Sequence, residues 1–204
     1  MLKYFFVLVF VITAISAHAQ RRFPSEFWHE GKVVLISEDT LRGLIKYDLE
    51  NDLIQVNIRN TIQTYSSRKI LNFEIFDEGL NNYRFFYALP YNVKPNYEVP
   101  ILFEVLYEGP LTLLCREFIV QETVPQFGYY SRFNFNRLRL TYDYYFLKKN
   151  GKIGQYFPKK KELLHVMRNK SSEIKTFMKR NNLRYDRRDD LARITAYYNE
   201  ISGS

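Results

Sequence analysis

The chain has few of the residues from which catalytic and metal sites are built. Its 204 residues include one cysteine, three histidines and eight glycines. A single cysteine cannot form an intramolecular disulfide, so core packing must supply the stability. The sequence has no nucleophile elbow, no His-Glu-x-x-His motif and no phosphate-binding glycine loop. We therefore expect no identifiable catalytic residue, no metal site and no cofactor.

The isolated cysteine and histidines are best interpreted as structural. Cys115 shares strand parity with Leu111 and Leu113, which predicts a buried, inert thiol, although the neighbouring Arg116 is the kind of residue that activates a nucleophile. His29 is expected at the start of the first strand and His165 on a helix face. Neither has a second histidine or a cysteine at the spacing of a zinc site.

The N-terminus has the pattern of a cleavable secretory signal over residues 1–19. Lys3 precedes an apolar run from Tyr4 to Ile15, and Ala17-His18-Ala19 fits signal peptidase. The apolar run is shorter than the roughly 20 residues that a membrane-spanning helix needs. We expect cleavage after Ala19, export to the periplasm or cell envelope, and no transmembrane helix in the mature chain.

Alternating apolar and polar residues predict strands over most of residues 20–157. A hairpin is expected from 32–37 and 41–47, followed by a strand over 53–59 and another that places Leu71, Phe73 and Ile75 on one face. A second hairpin is expected from 101–107 and 111–120, with Ile101, Phe103, Val105 and Tyr107 on one face and Glu104 on the other.

Other local signals divide the strands. Three prolines, Pro90, Pro95 and Pro100, predict an irregular loop. A change of apolar parity predicts a bulge near Asn136-Arg137, and Asn150-Gly151 predicts a hairpin turn. The adjacent pairs Tyr129-Tyr130 and Tyr144-Tyr145 point to both faces of a strand, so some of these rings are expected to face solvent and offer a binding surface for a glycan or peptide.

After Pro158 the apolar period becomes helical. Leu163, Leu164 and Met167 predict a first helix, Ser171 or Ser172 is expected to cap a second, and Asp186 a third that ends at Gly203. The predicted fold class is α+β: an antiparallel β-sheet or open barrel-like β-domain over 20–157, followed by a short basic helical subdomain over 158–204 packed on it.

Positive charge is concentrated near the C-terminus. Residues 148–188 carry 14 basic and 3 acidic side chains, whereas residues 20–147 carry 14 basic and 16 acidic ones. The consecutive Lys159, Lys160 and Lys161 are the candidate contacts to an anionic envelope surface, since they begin a helix and should face solvent. A solvated face that only keeps the protein dissolved is the structural alternative. Nucleic acid is not expected as a partner of an exported protein.

Several sequence blocks together resemble a known group of proteins. They include 31–47, Phe73-Glu-Ile-Phe-Asp77, Phe86-Tyr-Ala-Leu-Pro-Tyr91, 103–117 and Tyr197-Tyr-Asn199. This pattern resembles a family of exported proteins of unknown function from Bacteroidota. The resemblance implies an envelope location and carries no activity and no functional residues. Asp39-Thr40-Leu41 also resembles the short O-glycosylation site of such bacteria, although a hairpin turn explains the same residues.

These observations favour an exported, non-catalytic, envelope-associated binding or structural module. Two alternatives remain open. The first is a carbohydrate-active hydrolase that uses unidentified carboxylates, with Glu104/Glu108 and Glu117/Glu122 as acidic pairs to consider. The second is a small outer-membrane β-barrel, which the charged residues of the strand around 137–149 disfavour.

Overall fold

The computed structural model of the protein describes residues 23–125 and 134–203. Within these ranges, antiparallel strands form one open sheet that is not closed into a barrel, and three helices follow it, which confirms the α+β prediction. The strands are β1 His29–Leu35, β2 Thr40–Asp48, β3 Leu53–Ile58, β4 Thr61–Ser66, β5 Ile70–Asp77, β6 Asn82–Lys94, β7 Tyr97–Tyr107, β8 Leu111–Pro125, β9 Asn134–Lys148 and β10 Ile153–Tyr156. The helices are α1 Lys160–Val166, α2 Ser171–Arg180 and α3 Arg188–Ser202.

The sheet is a meander in which strands consecutive in sequence pair with each other, with one exception. The strand order is β10-β9-β8-β7-β6-β5-β1-β2-β3-β4, so β5 pairs with β1 and not with β4. Both expected hairpins are confirmed, β1 with β2 and β7 with β8, as is the Asn150-Gly151 turn between β9 and β10. Gly151 has a φ of 78°, the left-handed conformation that this turn requires.

Both faces of the sheet carry apolar clusters. The inner face of β1–β7 buries one core, which includes Val33, Ile54, Phe73 and Phe86. Farther along the same face, β8–β10 and the three helices enclose a second core, which we call the helical core. It includes Leu113, Phe146, Leu163, Leu191 and Ile194. A smaller cluster of Ile101, Phe103, Leu114 and Tyr145 lies on the outer face. The helices therefore form a layer over one end of the inner face.

Two directly opposed glycines allow the strands near β1 to approach closely. Gly31 of β1 pairs with Gly43 of β2. A Cβ atom at Gly31 would lie 2.1 Å from the carbonyl oxygen of Glu74, and one at Gly43 would lie 2.4 Å from that of Asn57. No side chain fits at these distances, so the curvature of this part of the sheet depends on glycine at both positions.

A salt bridge fills the gap where β8 separates from β7. The two strands pair only between Glu104 and Tyr107 of β7, which leaves the backbone of Leu102 without a strand partner on that side. Its N–H donates to the Asp52 carboxylate at 2.8 Å, and its carbonyl accepts from Arg116 at 2.8 Å. Arg116 and Asp52 are themselves 2.7 Å apart, so the turn between β2 and β3 is fixed against the edge of β7.

The prediction of an irregular loop around the three prolines is wrong. β6 and β7 form a long hairpin in which Pro90 pairs with Pro100, and only Pro95 lies in the turn. At these positions the hairpin extends past its neighbours, because β6 pairs with β5 only as far as Tyr87. Proline is tolerated there because its missing N–H removes no hydrogen bond to a third strand.

Irregular registers account for two residues on unexpected faces. A shift between Val34 and Leu35 of β1 occurs opposite Leu71, so Ile70 is buried and Leu71 is 44% exposed, contrary to the prediction. A second shift near the end of β7 places Tyr107 against the helical core and not with Phe103 on the outer face. Glu104 lies on the opposite face from Ile101 and Phe103, as predicted, and is buried there.

The predictions for β9 were partly wrong. β8 and β9 keep one register from Leu111 to Pro125, so there is no bulge near Asn136-Arg137. Tyr144 and Tyr145 do point to opposite faces, but both are buried, Tyr144 under the helices and Tyr145 against Phe103. Neither ring faces solvent. Tyr129-Tyr130 lies outside the described residues, as does the predicted signal of residues 1–19.

The helices occur where the apolar period predicts them, but their caps differ. No side-chain cap is formed at the start of α2 or α3; Lys170 and Arg187 occupy the two N-cap positions, and Asp186 binds Arg184 instead. Gly203 follows α3, as predicted. None of the helices in the described ranges has both the length and the apolar character that a membrane span requires.

Candidate functional site

The helical layer buries its apolar side chains against the sheet and turns its cations outward. Leu163 of α1, Met167 just after it, Ile174 of α2 and Leu191 of α3 are fully buried in the helical core. Between these anchors, the charged side chains lie on the solvent-facing side of the helices. This arrangement leaves most lysines and arginines of residues 148–188 on the surface.

The three candidate lysines all lie at the solvent surface. Lys159 precedes α1 in an extended conformation, and Lys160 and Lys161 form its first turn. All three side chains are exposed, and none belongs to an ion pair among the described residues. The fourth residue of this segment, Glu162, accepts a hydrogen bond from the backbone of Phe157 at 3.1 Å instead of pairing with a lysine.

Lys160 joins three other cations in what we call the basic cleft. This cleft of about 460 Å³ lies between the start of α1, α2 and the segment that links α2 to α3. Its cationic side chains are Lys160, Lys175, Lys179 and Arg184. Asp186 is the one acidic side chain among the described residues that line it, and it accepts two hydrogen bonds from Arg184, at 3.0 and 2.7 Å. These bonds lower the pKa of Asp186, so its charge is directed to Arg184 and no described lining residue compensates the three lysines.

A second cleft, the hairpin cleft, is also cationic. It has a volume of about 510 Å³ and lies between the β9–β10 turn and the ends of α1 and α3. Lys148, Lys149, His165 and Arg168 line it, and no acidic side chain does among the described residues. His165 is exposed on the helix face, as predicted. Lys159 and Lys161 line neither cleft.

Between the two inner cores lies a buried ionic cluster centred on Arg84. Its guanidinium donates two hydrogen bonds to Glu104, at 2.9 and 2.8 Å, and one each to Glu117, Asp77 and the hydroxyl of Tyr47, at 2.8, 3.2 and 2.7 Å. All five N–H donors of the arginine are therefore used. Tyr47 in turn donates to Glu117 at 2.5 Å.

The helical layer contributes a second arginine to this cluster. Arg188, at the start of α3, donates to Glu104, while its Nε is buried and has no hydrogen-bond partner among the residues that the structure describes. Burial by itself would lower the pKa of Arg84, but the hydrogen bonds and charge of Glu104 outweigh it, and the pKa is raised. Burial also raises the pKa of Tyr47. The cluster is thus a fixed set of charges that connects β2, β5, β6, β7 and β8 to α3.

The acidic pairs suggested by the sequence are not brought together. Glu108 is exposed, whereas Glu104 is buried; Glu122 forms ion pairs with Arg137 and Arg139, away from Glu117. The structure instead places Glu104 and Glu117 side by side on Arg84. Both carboxylates are held in hydrogen bonds inside the protein, and neither lines either cationic cleft.

Sequence reasoning missed the ionic cluster. Its one visible signal was Glu104 among Leu102, Phe103 and Val105, a charge within an apolar strand. A buried carboxylate needs a partner, but nothing in the sequence identified Arg84 as that partner. The predicted burial of Cys115 is confirmed: the thiol is fully buried. Burial also raises its pKa, which disfavours the reactive thiolate.

The remaining expected structural residues occupy ordinary positions. His29 begins β1, is buried, and lies 2.7 Å from the carbonyl oxygen of Pro24. Among the residues that the structure describes, no group of three or more histidine, cysteine, aspartate or glutamate side chains is arranged to hold a metal ion.

Comparison with known proteins gives no relative. Neither the protein-family models nor the curated proteins nor the solved structures contain a match to this chain.

Proposed function

We propose that this protein is an exported, cell-envelope-associated module that binds an anionic surface through the cations of its helical layer. The observation that carries the proposal is the basic cleft, where Lys160, Lys175 and Lys179 line one cleft and no acidic side chain among the described lining residues is left to pair them. Lys159 and Lys161 flank Lys160 in the sequence and are also exposed. The export signal of residues 1–19 and the resemblance to exported Bacteroidota proteins support the envelope location.

Electrostatics make the proposal quantitative. A lysine or arginine near an anionic lipid surface contributes about 1 kcal/mol, and the interaction is screened over about 10 Å at 0.1 M salt. Three consecutive lysines should then change the affinity for an anionic surface by about a hundredfold at low salt. The chemistry recognised is a dense array of phosphate or carboxylate groups, as in acidic lipid headgroups.

The test is co-sedimentation of the mature chain with phosphatidylglycerol vesicles and with phosphatidylcholine vesicles over about 0.05 to 0.5 M salt. We expect binding to the anionic vesicles only, weakening as salt rises. The triple variant Lys159→Gln, Lys160→Gln, Lys161→Gln should lose most of that binding.

The matched control removes three exposed cations outside the helical layer: Arg68→Gln, Lys69→Gln, Lys94→Gln. It changes the net charge by the same amount, so the proposal requires that it bind nearly as well as the native chain. Equal losses in both triple variants, or equal binding to both kinds of vesicle, would leave the cations with a role in solubility alone.

A further inference from the structure

A groove of about 730 Å³ crosses the outer face of the sheet, which the helices do not cover. It extends over β6, β5, β1, β2 and β3, and we call it the outer groove. Its residues form transverse rows, because Tyr83 pairs with Phe76 and Leu44 pairs with both Glu30 and Asn57. It shares no residue with either cationic cleft.

One end of the groove is aromatic. Tyr83 is 55% exposed and stands edge-to-face with Phe76, with ring centroids 5.2 Å apart. Phe85 follows Tyr83 on the same face of β6 and is 46% exposed. Contact with Phe76 restricts the Tyr83 ring, so this end offers a flat apolar surface that loses little conformational entropy on binding.

The other end carries amide and guanidinium groups. Asn57 and Asn60 supply amides, and Arg42 and Arg59 supply exposed guanidinium groups. The two carboxylates lie nearer the aromatic end, because Glu74 is on β5, as Phe76 is, and Glu30 is on the neighbouring strand β1. Glu74 is 3.0 Å from Lys32, which does not line the groove. Unlike the clefts of the helical layer, this groove is therefore lined by side chains of both signs.

The middle of the groove combines two glycines with the side chains of Glu30 and Leu44. Gly31 and Gly43 lie opposite each other there and carry no side chain. They share the parity of Ile75 and Ile45, which are buried on the inner face, so only their backbone faces the groove. A ligand that spans the groove therefore contacts backbone as well as side chains in its middle.

We propose that the outer groove binds a neutral oligosaccharide. A sugar ring has an apolar C–H face, which stacks on Tyr83, and a rim of hydroxyls, which are both donors and acceptors. Planar amide, guanidinium and carboxylate groups such as Asn57, Arg42 and Glu30 pair with adjacent hydroxyls of this kind. The volume lies within the range of ligand sites, about 300–1,000 Å³, and the mixture of a few polar groups with aromatic surface is typical of them.

The experiment presents the mature protein to an array of neutral oligosaccharides, comprising glucans, mannans, xylans and N-acetylglucosamine oligomers. The hexasaccharide with the strongest signal is then titrated by calorimetry. We expect binding to at least one neutral series, and a loss of affinity of about tenfold or more in Tyr83→Ala, because that change removes the stacking surface. Arg42→Ala, at the other end of the groove, should weaken binding as well.

The matched control is Tyr97→Ala, which removes a tyrosine that is 51% exposed but lies at the tip of the β6–β7 hairpin, outside the groove. It should bind as the native chain does, and so should the triple lysine variant of the vesicle test. The proposal fails if no neutral oligosaccharide binds, or if Tyr83→Ala keeps its affinity within about twofold of the native chain.

Discussion

Replacing Arg84 with methionine is the most direct test of the buried ionic cluster. Methionine occupies much of the volume of the arginine stem but removes all five hydrogen-bond donors. Glu117 and Asp77 would then lose their guanidinium partner, while Glu104 would keep only Arg188. All three carboxylates are at least 95% buried, so water cannot replace the missing donors without a local opening.

The expected cost follows from the burial of these groups. Removing one partner of a buried ion pair costs about 3–5 kcal/mol, because the other charge is left uncompensated. The total free energy of unfolding of a domain is about 5–15 kcal/mol, so the loss should be a large share of it. Arg84→Lys keeps the charge but has three donors in place of a planar fork, and we expect a loss of about 2 kcal/mol.

The assay is equilibrium unfolding in urea followed by circular dichroism. Arg137→Met is the control, because Arg137 pairs with Glu122 at the surface, where the two side chains are 55% and 40% exposed. Such pairs contribute about 1 kcal/mol at most. A loss in Arg84→Met no larger than that in Arg137→Met would refute the reasoning that the cluster stabilises the junction of the two cores.

Two further predictions concern buried groups. Burial raises the pKa of the Cys115 thiol, so a thiol reagent should label the native protein slowly and the urea-unfolded protein rapidly, and fast native labelling would contradict this. Burial also raises the pKa of Tyr145 to about 12, above the value of about 10 in an unfolded chain. The native state therefore holds this proton more tightly, so the stability from Tyr145 is present below about pH 10 and is lost as the pH rises from there towards 12. Tyr145→Phe should show a smaller fall in its urea midpoint over that range, and an equal fall would be inconsistent with the burial.

Local patterns predicted most elements of this fold. The Asn150-Gly151 turn, the burial of Ile54 and Val56, and the buried thiol of Cys115 each depend on neighbours within a few residues. Alternation of apolar and polar residues with a period of two identifies which side chains share a face of a strand. These features could therefore be predicted from the sequence.

Features that depend on strands distant in sequence could not be predicted from the sequence. Pro90 and Pro100 were assigned to a loop because a proline in a central strand loses a hydrogen bond, and only the strand order reveals that β6 and β7 extend past their neighbours there. The sequence predicts only that some rings of Tyr129-Tyr130 and Tyr144-Tyr145 face solvent. The burial of Tyr145 depends on Phe103, which is 42 residues away in sequence and meets it on the outer face.

The candidate sites show the same division. The exposure of Lys160 followed from its place in a short helix, but its meeting with Lys175 and Lys179 depends on how α1 and α2 pack together. The outer groove was harder to predict from the sequence, because Tyr83 and Asn57 lie in one groove only through the pairing of the intervening strands β5, β1 and β2. Strand register decides which side chains become neighbours across a sheet, so such a site cannot be predicted until the register is known.

Because the ionic cluster is buried, the surface charge of the protein differs from the charge counted along its sequence. Residues 20–147 carry 14 basic and 16 acidic side chains, but Arg84 and three acids, Asp77, Glu104 and Glu117, are inside. Three cations of residues 20–147, Arg21, Arg22 and Arg132, lie outside the described residues, so the described part keeps 10 basic and 13 acidic side chains besides the cluster. Residues 148–188 give up only Arg188 to the cluster and keep 13 basic against 3 acidic groups. Among the described residues, the excess of positive charge that would orient the protein towards anions therefore belongs to the helical layer.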